Sequence, residues 1–242
     1  MHPFDHALAV LLAVIQPVWT VVAFRRLIAL QEGTDRVQLY TRTGAVQWGT
    51  LAVFAAAWIA LGRDAAPLGL VAPGGTGFLA GCVLVLVLVG VLVHAWRSAR
   101  RLSDAERARQ VAQLGNLVHF LPRTKRDYRH FAWLSVTAGI VEEILYRGFL
   151  IWYFALFLPL WAAVVASSIV FGIGHGYQGP GYALRTGAGG AAFAVLYLLS
   201  GSLWLPIVAH AAVDLLQGAA AFELLRARGP GRGAGRPDIH GA

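Results

Sequence analysis

The fold is decided by residues 138–150, which read AGIVEEILYRGFL and place Glu142, Glu143 and Arg147 inside an otherwise apolar run. The surrounding apolar segment is long enough to cross a bilayer. A charged side chain at the centre of a membrane helix costs about 2.5–3.5 kcal/mol on insertion scales. Three such side chains together therefore predict ion pairing, a water-filled cavity, or both. This stretch is the candidate functional site.

The composition indicates a polytopic membrane protein. Of the 242 residues, 57% are hydrophobic and only 13% are charged, and the formal net charge is +8. The arginines gather between apolar runs and do not follow a polar groove, so the positive-inside rule explains the basic balance better than nucleic-acid binding does. We therefore expect no nucleic-acid partner. The single cysteine, Cys82, has no partner for an intramolecular disulfide.

Hydropathy predicts an all-α transmembrane helical bundle with about seven spans, or eight if the basic connector also inserts. The first apolar run lacks a basic region and a small-residue cleavage site, so we expect a retained helix and not a cleaved signal. The predicted spans lie at about 7–24, 44–61, 77–96, 131–157, 159–175, 182–199 and 204–225.

Three regions follow from this pattern: a three-helix membrane region with a basic connector (1–130), a helical core that contains the candidate functional site (131–225) and a disordered basic tail (226–242). A polar connector with Arg36 and Arg42 separates the first two spans. The first three predicted helices carry no convincing chemistry. The excess of arginine over 97–130 predicts a cytoplasmic connector and a cytoplasmic C-terminus. Within it, 105–120 is either an interfacial amphipathic helix or a solvated linker.

The charged stretch divides into two roles. Glu143 and Arg147 are four residues apart with the acid nearer the N-terminus, which is the favourable order for an ion pair on one helix face. Glu142 is then rotated away without a local cation, on the face that Tyr146 would share. It is the candidate to take a proton from water and give it later to a leaving group. The alternative is a charge cluster that only holds helices together.

Two later segments supply imidazoles. Phe171 and His175 lie one turn apart at a predicted helix end, and His210 and Asp214 lie four apart on one helix face. Taken alone, His175 also suits a water-bonded interfacial position, and His210 and Asp214 could simply satisfy each other between helices. The seven-span topology places the two histidines at depths that differ by roughly 10 Å or more. A re-entrant segment near Gly201 or a shifted helix boundary would remove this difference.

The ordered motifs Glu-Glu-x-x-x-Arg, Phe-x-x-x-His and His-x-x-x-Asp, over about 131–217, resemble those of the CPBP family of intramembrane proteases, which includes the CAAX prenyl endopeptidases and many bacterial relatives. The resemblance implies an intramembrane endopeptidase in which Glu142 and His175 activate a water. Glu143, Arg147 and Phe171 would support the structure.

In the same family the last motif is associated with stabilising the tetrahedral oxyanion, which implies that role for His210 and Asp214. The commoner residue at the second position is Asn. An ionised aspartate donates no hydrogen bond and would repel an oxyanion. Asp214 is therefore either protonated or orients His210 by accepting from its ring, and we favour the orienting role.

Cofactor and partners follow from the same residues. Two histidines and a glutamate could bind zinc with a water in the fourth position, but the His-Glu-x-x-His pattern of zinc proteases is absent from the sequence. We expect a metal-free glutamate mechanism with no cofactor, membrane lipid as surroundings and a membrane-associated protein or peptide as substrate. The residue usage suggests a bacterial plasma membrane. Alternative functions are a non-catalytic scaffold or immunity protein of the same fold and a proton-coupled transporter.

Overall fold

The computed structural model describes residues 1–29 and 35–226, and the described residues contain helices and turns but no strand. The predicted all-α fold class is confirmed. The predicted disordered tail falls almost entirely on 227–242, which lie outside the described residues, as do residues 30–34 of the first connector.

Eight α-helices follow one another along the described chain. They are α1 (3–29), α2 (Arg36–Ala60), α3 (Gly75–Ala99), α4 (Asp104–Gln113), α5 (125–155), α6 (Leu160–Gly174), α7 (Pro180–Ser200) and α8 (Trp204–Leu225). Single 3₁₀ turns lie in the connectors at Ala66–Leu68, Gly115–His119 and Gly176–Gln178. Both α1 and α5 contain a π-helical section, at Leu11–Ile15 and Glu143–Leu150 respectively.

Five of the seven predicted spans coincide with helices that are long and apolar enough to cross a membrane, namely α1, α2, α3, α7 and α8. The other two are present as α5 and α6. The first of these carries the charged stretch, and α6 is only 15 residues long. By length and composition alone, α5 and α6 do not qualify as membrane-spanning helices, whereas the other five do.

The first connector is shorter than predicted. Helix α2 begins at Arg36 and not near Gly44, so Arg36 and Arg42 lie on the helix. The Asp35 side chain accepts hydrogen bonds from the backbone N–H groups of the first turn, which is a standard N-cap. Because the first two turns of α2 are polar, hydropathy alone does not detect them.

The basic connector forms a helix over part of its length. Helix α4 starts with a capping box in which Ser103 and Glu106 bond each other's backbone N–H groups. The Arg107 side chain donates to the carbonyl oxygens of Leu224 and Arg226 at the end of α8. Helix α4 therefore contributes to holding α8 in place, while its position at a membrane interface stays a prediction.

Helix α5 is the centre of the bundle and packs against α2, α6 and α8. All residues of its π-helical section, Glu143–Leu150, are buried. It runs antiparallel to α8, with three glycines at close approaches: Gly139 to Ala211, Gly148 to Leu203 and Gly218 to Phe131. The helix with buried charges is thus among the most enclosed elements of the described chain.

The segment between α2 and α3 folds over the beginning of α8. The backbone N–H of Leu203 donates to the Gly69 carbonyl over 2.9 Å, and the indole N–H of Trp204 donates to the Val71 carbonyl over 3.1 Å. Between α7 and α8 the chain turns at Gly201, which adopts a left-handed conformation with φ of 66°. Helix α8 therefore begins directly after a short turn and beneath residues 66–71.

Candidate active site

One carboxylate oxygen joins α5 to α8. Oε1 of Glu143 accepts from Nη1 of Arg147 over 2.9 Å and lies 2.7 Å from Nδ1 of His210. The ion pair predicted between Glu143 and Arg147 is thus present, and both side chains are buried, at 0% and 1% exposure. Glu143 holds the imidazole of α8 as well as the arginine of its own helix.

The Arg147 guanidinium is held on three sides. It lies over the Phe171 ring, 4.1 Å from the centroid, and its Nε–H donates to the Gly190 carbonyl over 3.4 Å. A methyl group at Gly190 would come within 2.7 Å of Nη2 and 3.0 Å of the Phe171 ring. Only a residue without a side chain leaves this space, so Gly190 lets α7 pass close to the buried pair.

Glu142 faces a different neighbour on each side. Its Oε1 accepts from the amide Nε2–H of Gln47 on α2 over 2.8 Å, and its Oε2 lies 3.9 Å from Nε2 of His210. The Glu142 side chain keeps 12% exposure, whereas Glu143 has none. The two adjacent carboxylates therefore point in different directions, as predicted. The polar partner of Glu142 was not predicted from the sequence.

His210 is oriented by Glu143. Its Nδ1 contacts Glu143, while Nε2 lies 3.7 Å from Oδ2 of Asp214, beyond hydrogen-bond range. The favoured expectation was that Asp214 accepts from the ring, and in the structure the hydrogen-bonded carboxylate is Glu143. The reason is that one carboxylate has about four lone-pair sites, so pairing with Arg147 does not exhaust Glu143. The catalytic role of Asp214, whose side chain is 35% exposed, stays a prediction.

His175 lies just beyond the end of α6, next to Phe171. Its Nδ1 is 2.8 Å from the Phe171 carbonyl oxygen, and its ring centroid is 4.7 Å from that of Phe171. The Phe171 ring is in turn 6.0 Å from the His210 ring. The rings of both histidines therefore lie near the ring of Phe171. Because a carbonyl only accepts, Nδ1 of His175 carries the hydrogen, and Nε2 of the neutral ring is the acceptor.

Tyr177 is a site neighbour that the sequence analysis missed. It lies on the 3₁₀ turn between α6 and α7, with its ring 6.0 Å from the His175 ring. Its hydroxyl oxygen accepts from Nε2 of Gln178 over 2.9 Å. The pKa of Tyr177 is raised to about 12, chiefly by desolvation and also by the negative charges of Glu142 and Asp214, while the hydrogen bond from Gln178 acts in the opposite direction. The phenol therefore keeps its proton throughout the neutral range.

The two missed residues differ in the signal they left. Gln47 is a long amide inside an apolar run, and such a side chain in a membrane helix usually has a polar partner in the bundle. The sequence therefore indicated that Gln47 has a polar partner, but it did not indicate which residue that partner is. Tyr177 follows His175 by two residues in a glycine-rich connector, where nothing distinguishes it from an ordinary interfacial tyrosine.

The zinc alternative can be tested against these positions. Among the residues of 1–29 and 35–226, no three His, Cys, Asp or Glu side chains are arranged to hold a metal ion. The described residues do not fit a zinc centre, and no step of the reaction proposed below runs through one.

Acids and imidazoles that converge inside a helical membrane bundle are suited to hydrolysis within the bilayer. Residues 126–216 match the family model described as type II CAAX prenyl endopeptidase Rce1-like, which is a protease family. The match confirms the resemblance and contains all the site residues predicted from the sequence, while Gln47 lies outside it. Comparison with curated proteins and with solved structures gave no match.

Proposed function

We propose that this protein is an intramembrane endopeptidase that hydrolyses a peptide bond of a membrane-associated protein or peptide. The observation that carries the proposal is the convergence of Glu142, His210 and Asp214 in one partly exposed cluster, where Nε2 of His210 lies 3.9 Å and 3.7 Å from the two carboxylates. Separations of this size are commonly bridged by one water. The protease-family match over residues 126–216 supports the same reading.

Glu142 is the general base. One of its oxygens is engaged by Gln47, which leaves Oε2 directed towards His210. Oε2 takes a proton from a water as the water oxygen bonds to the scissile carbonyl carbon. Glu142 then delivers that proton to the amide nitrogen, and the carbon–nitrogen bond of the tetrahedral intermediate breaks. The carboxylate is regenerated, so no co-reactant beyond water is required.

His175 assists Glu142 in activating the water. Its Nδ1–H is committed to the Phe171 carbonyl, so the lone pair of Nε2 is available as an acceptor. His175 also interacts electrostatically with Asp214, which indicates that it borders the same cluster. In this role the ring holds one hydrogen of the water while Glu142 removes the other.

His210 stabilises the oxyanion. A doubly protonated ring donates Nδ1–H to Glu143 and presents Nε2–H to the negative oxygen of the intermediate. Asp214 balances the charge of this ring from the exposed side. Glu143 and Arg147 are positioning residues, because they act on substrate only through His210 and the packing of α5.

We expect the protein in a bacterial plasma membrane, with the basic connector and the C-terminal end of α8 on the cytoplasmic side. The basic residues of 97–130 and the C-terminal end of α8 lie on the same side under the positive-inside rule.

A metal-free mechanism predicts that an excess of chelator leaves cleavage unchanged. Loss of activity on chelation, with recovery on adding zinc, would contradict that part of the proposal.

The function is tested with purified protein in liposomes. Detergent-extracted membrane proteins of the expression host serve as the substrate pool, and new N-termini are identified by mass spectrometry. We expect a defined set of new N-termini with the wild type and none with Glu142→Gln or His175→Ala. Equal cleavage by these variants would overturn the proposal, and a scaffold role would be supported if both also retained the biological activity of the wild type.

A further inference from the structure

Gln47 presents both ends of its amide to the interior of the bundle. Its Nε2–H donates to Glu142 over 2.8 Å. Its carbonyl oxygen, Oε1, is fully buried and has no hydrogen-bond partner among the described residues. Buried polar atoms in folded proteins are nearly always paired, so an orphaned acceptor beside a candidate catalytic carboxylate requires an explanation.

The neighbouring polar groups on α2 do not supply the missing donor. The Thr50 hydroxyl donates to the Val46 carbonyl of its own helix, over 2.9 Å. The indole N–H of Trp48 donates to the Thr137 hydroxyl on α5, over 3.1 Å. The orphaned oxygen of Gln47 is therefore not a general feature of the α2–α5 contact.

A peptide substrate supplies donors of the required kind. A bond can be cleaved only after the backbone around it has left regular secondary structure, and within a membrane every exposed backbone N–H then needs an acceptor. Because Nε2 and Oε1 of Gln47 share one carbon atom, the free carbonyl lies close to the carboxylate that would act on the scissile bond. This oxygen is enclosed in the free protein, so a bound peptide must displace the surrounding side chains to bring a backbone N–H to it.

We propose that Gln47 is a substrate-binding residue, whose carbonyl accepts the backbone N–H of a peptide unit next to the scissile bond while its amide N–H holds Glu142. This inference rests on the proposed endopeptidase function. It assigns part of the site to α2, outside the matched segment 126–216. The chain before α5 thereby contributes to substrate recognition.

A purely structural role makes a different prediction. If Gln47 only joins α2 to α5 by a hydrogen bond, as polar side chains often do between membrane helices, its loss lowers stability without changing which substrate groups matter. The acceptor role instead couples Gln47 to one particular N–H of the substrate. That coupling can be measured in a double-mutant cycle.

The test uses synthetic peptides spanning a cleavage site found in the liposome assay. In a series of these peptides, each backbone amide flanking the scissile bond is replaced in turn by an ester, which lacks the N–H. With the wild type, one ester position should raise KM or lower kcat/KM by about tenfold, the effect of one hydrogen bond. With Gln47→Met the same ester should have no further effect. Gln38→Met, at an exposed position of α2, is the matched control.

Each outcome bears on the proposal. Wild-type kinetics for Gln47→Met would overturn it, as would an ester effect of the same size in the wild type and in Gln47→Met. If Gln47→Met fails to fold, the ester series with the wild type decides, because absence of any sensitive position removes the acceptor role. Failure of the endopeptidase function is distinguishable, since Glu142→Gln would then cleave as the wild type does.

Discussion

Glu143 and His210 are joined by a 2.7 Å contact between Oε1 and Nδ1, in a position where both side chains are buried. The carboxylate that pairs with Arg147 therefore also sets the direction of the imidazole. Glu142, the next residue along the chain, lies 3.9 Å from the other nitrogen of the same ring. Two adjacent acids thus contact opposite sides of one histidine and have separable consequences when substituted.

Glu143→Gln should destabilise the protein, because it leaves Arg147 as an uncompensated buried charge. Breaking a buried ion pair costs about 3–5 kcal/mol. We expect the free energy of unfolding in detergent micelles to fall by about this amount. In the matched variant, Glu142→Gln, cleavage should be abolished while the free energy of unfolding changes by about 1 kcal/mol or less. Equal losses of stability in the two variants would contradict the division of roles.

Gly190→Ala should displace the Arg147 guanidinium. The added methyl group would lie 2.7 Å from Nη2, so the arginine or α7 must move. We expect a lower thermal unfolding temperature and reduced cleavage. Gly189→Ala is the control, since a methyl group there meets no atom within 4 Å among the described residues. Because alanine favours helix over glycine by about 1 kcal/mol, that variant should be as stable as the wild type or more so.

Asp214→Asn should retain cleavage. Glu143 and not Asp214 is hydrogen-bonded to the His210 ring, so the amide does not disturb its orientation. An amide can also donate to an oxyanion, which an ionised aspartate cannot. We expect kcat within about threefold of the wild type, whereas His210→Ala should lower kcat by about 10²–10³, the usual effect of losing one oxyanion donor. A loss in Asp214→Asn as large as in His210→Ala would show that the charge of Asp214 is required.

Tyr177→Phe should change how the free energy of unfolding depends on pH above pH 10. The pKa of Tyr177 is raised from the ordinary value of 10.0 to about 12 in the folded protein. Below pH 10 both states keep the phenol proton, so this group contributes no pH dependence. Between pH 10 and about 12 the unfolded state loses the proton first, so the free energy of unfolding falls as the pH rises.

Denaturation at several alkaline pH values would measure this component as the difference between the wild type and Tyr177→Phe. The other tyrosines titrate in both proteins and cancel in the comparison. The variant should lose less stability over this range than the wild type does. Identical pH dependence in the two proteins would mean that the Tyr177 hydroxyl is not desolvated in the folded state.

Much of the architecture was predictable because it depends on local properties of the chain. Apolar runs of sufficient length predicted the helices, and the spacing of Glu143 and Arg147 predicted their ion pair. The start of α2 was missed, since an N-cap at Asp35 and two polar turns leave no hydropathy signal. The boundary of a helix depends on hydrogen bonds at its end as much as on its hydrophobicity.

The site was predictable in its residue types and less so in its contacts. The motifs named Glu142, Glu143, His210 and Asp214, which lie close together in the structure, and the family match over 126–216 confirms the resemblance that the motifs carry. The partner of Glu142 was not predictable, because Gln47 is separated from it by 95 positions along the chain. Helix packing, which no periodicity encodes, decides which residue of α2 lies beside it.

By itself, the sequence of 138–150 determined that this is a membrane bundle with buried charge, because three ionisable groups in an apolar helix must be paired within the protein. Only the tertiary structure decided how they are shared. Glu143 accepts from Arg147 and His210 together, and Glu142 is held by Gln47. A carboxylate has several acceptor sites, so its partners are chosen by the helices that pack against it and not by the residues next to it in the chain.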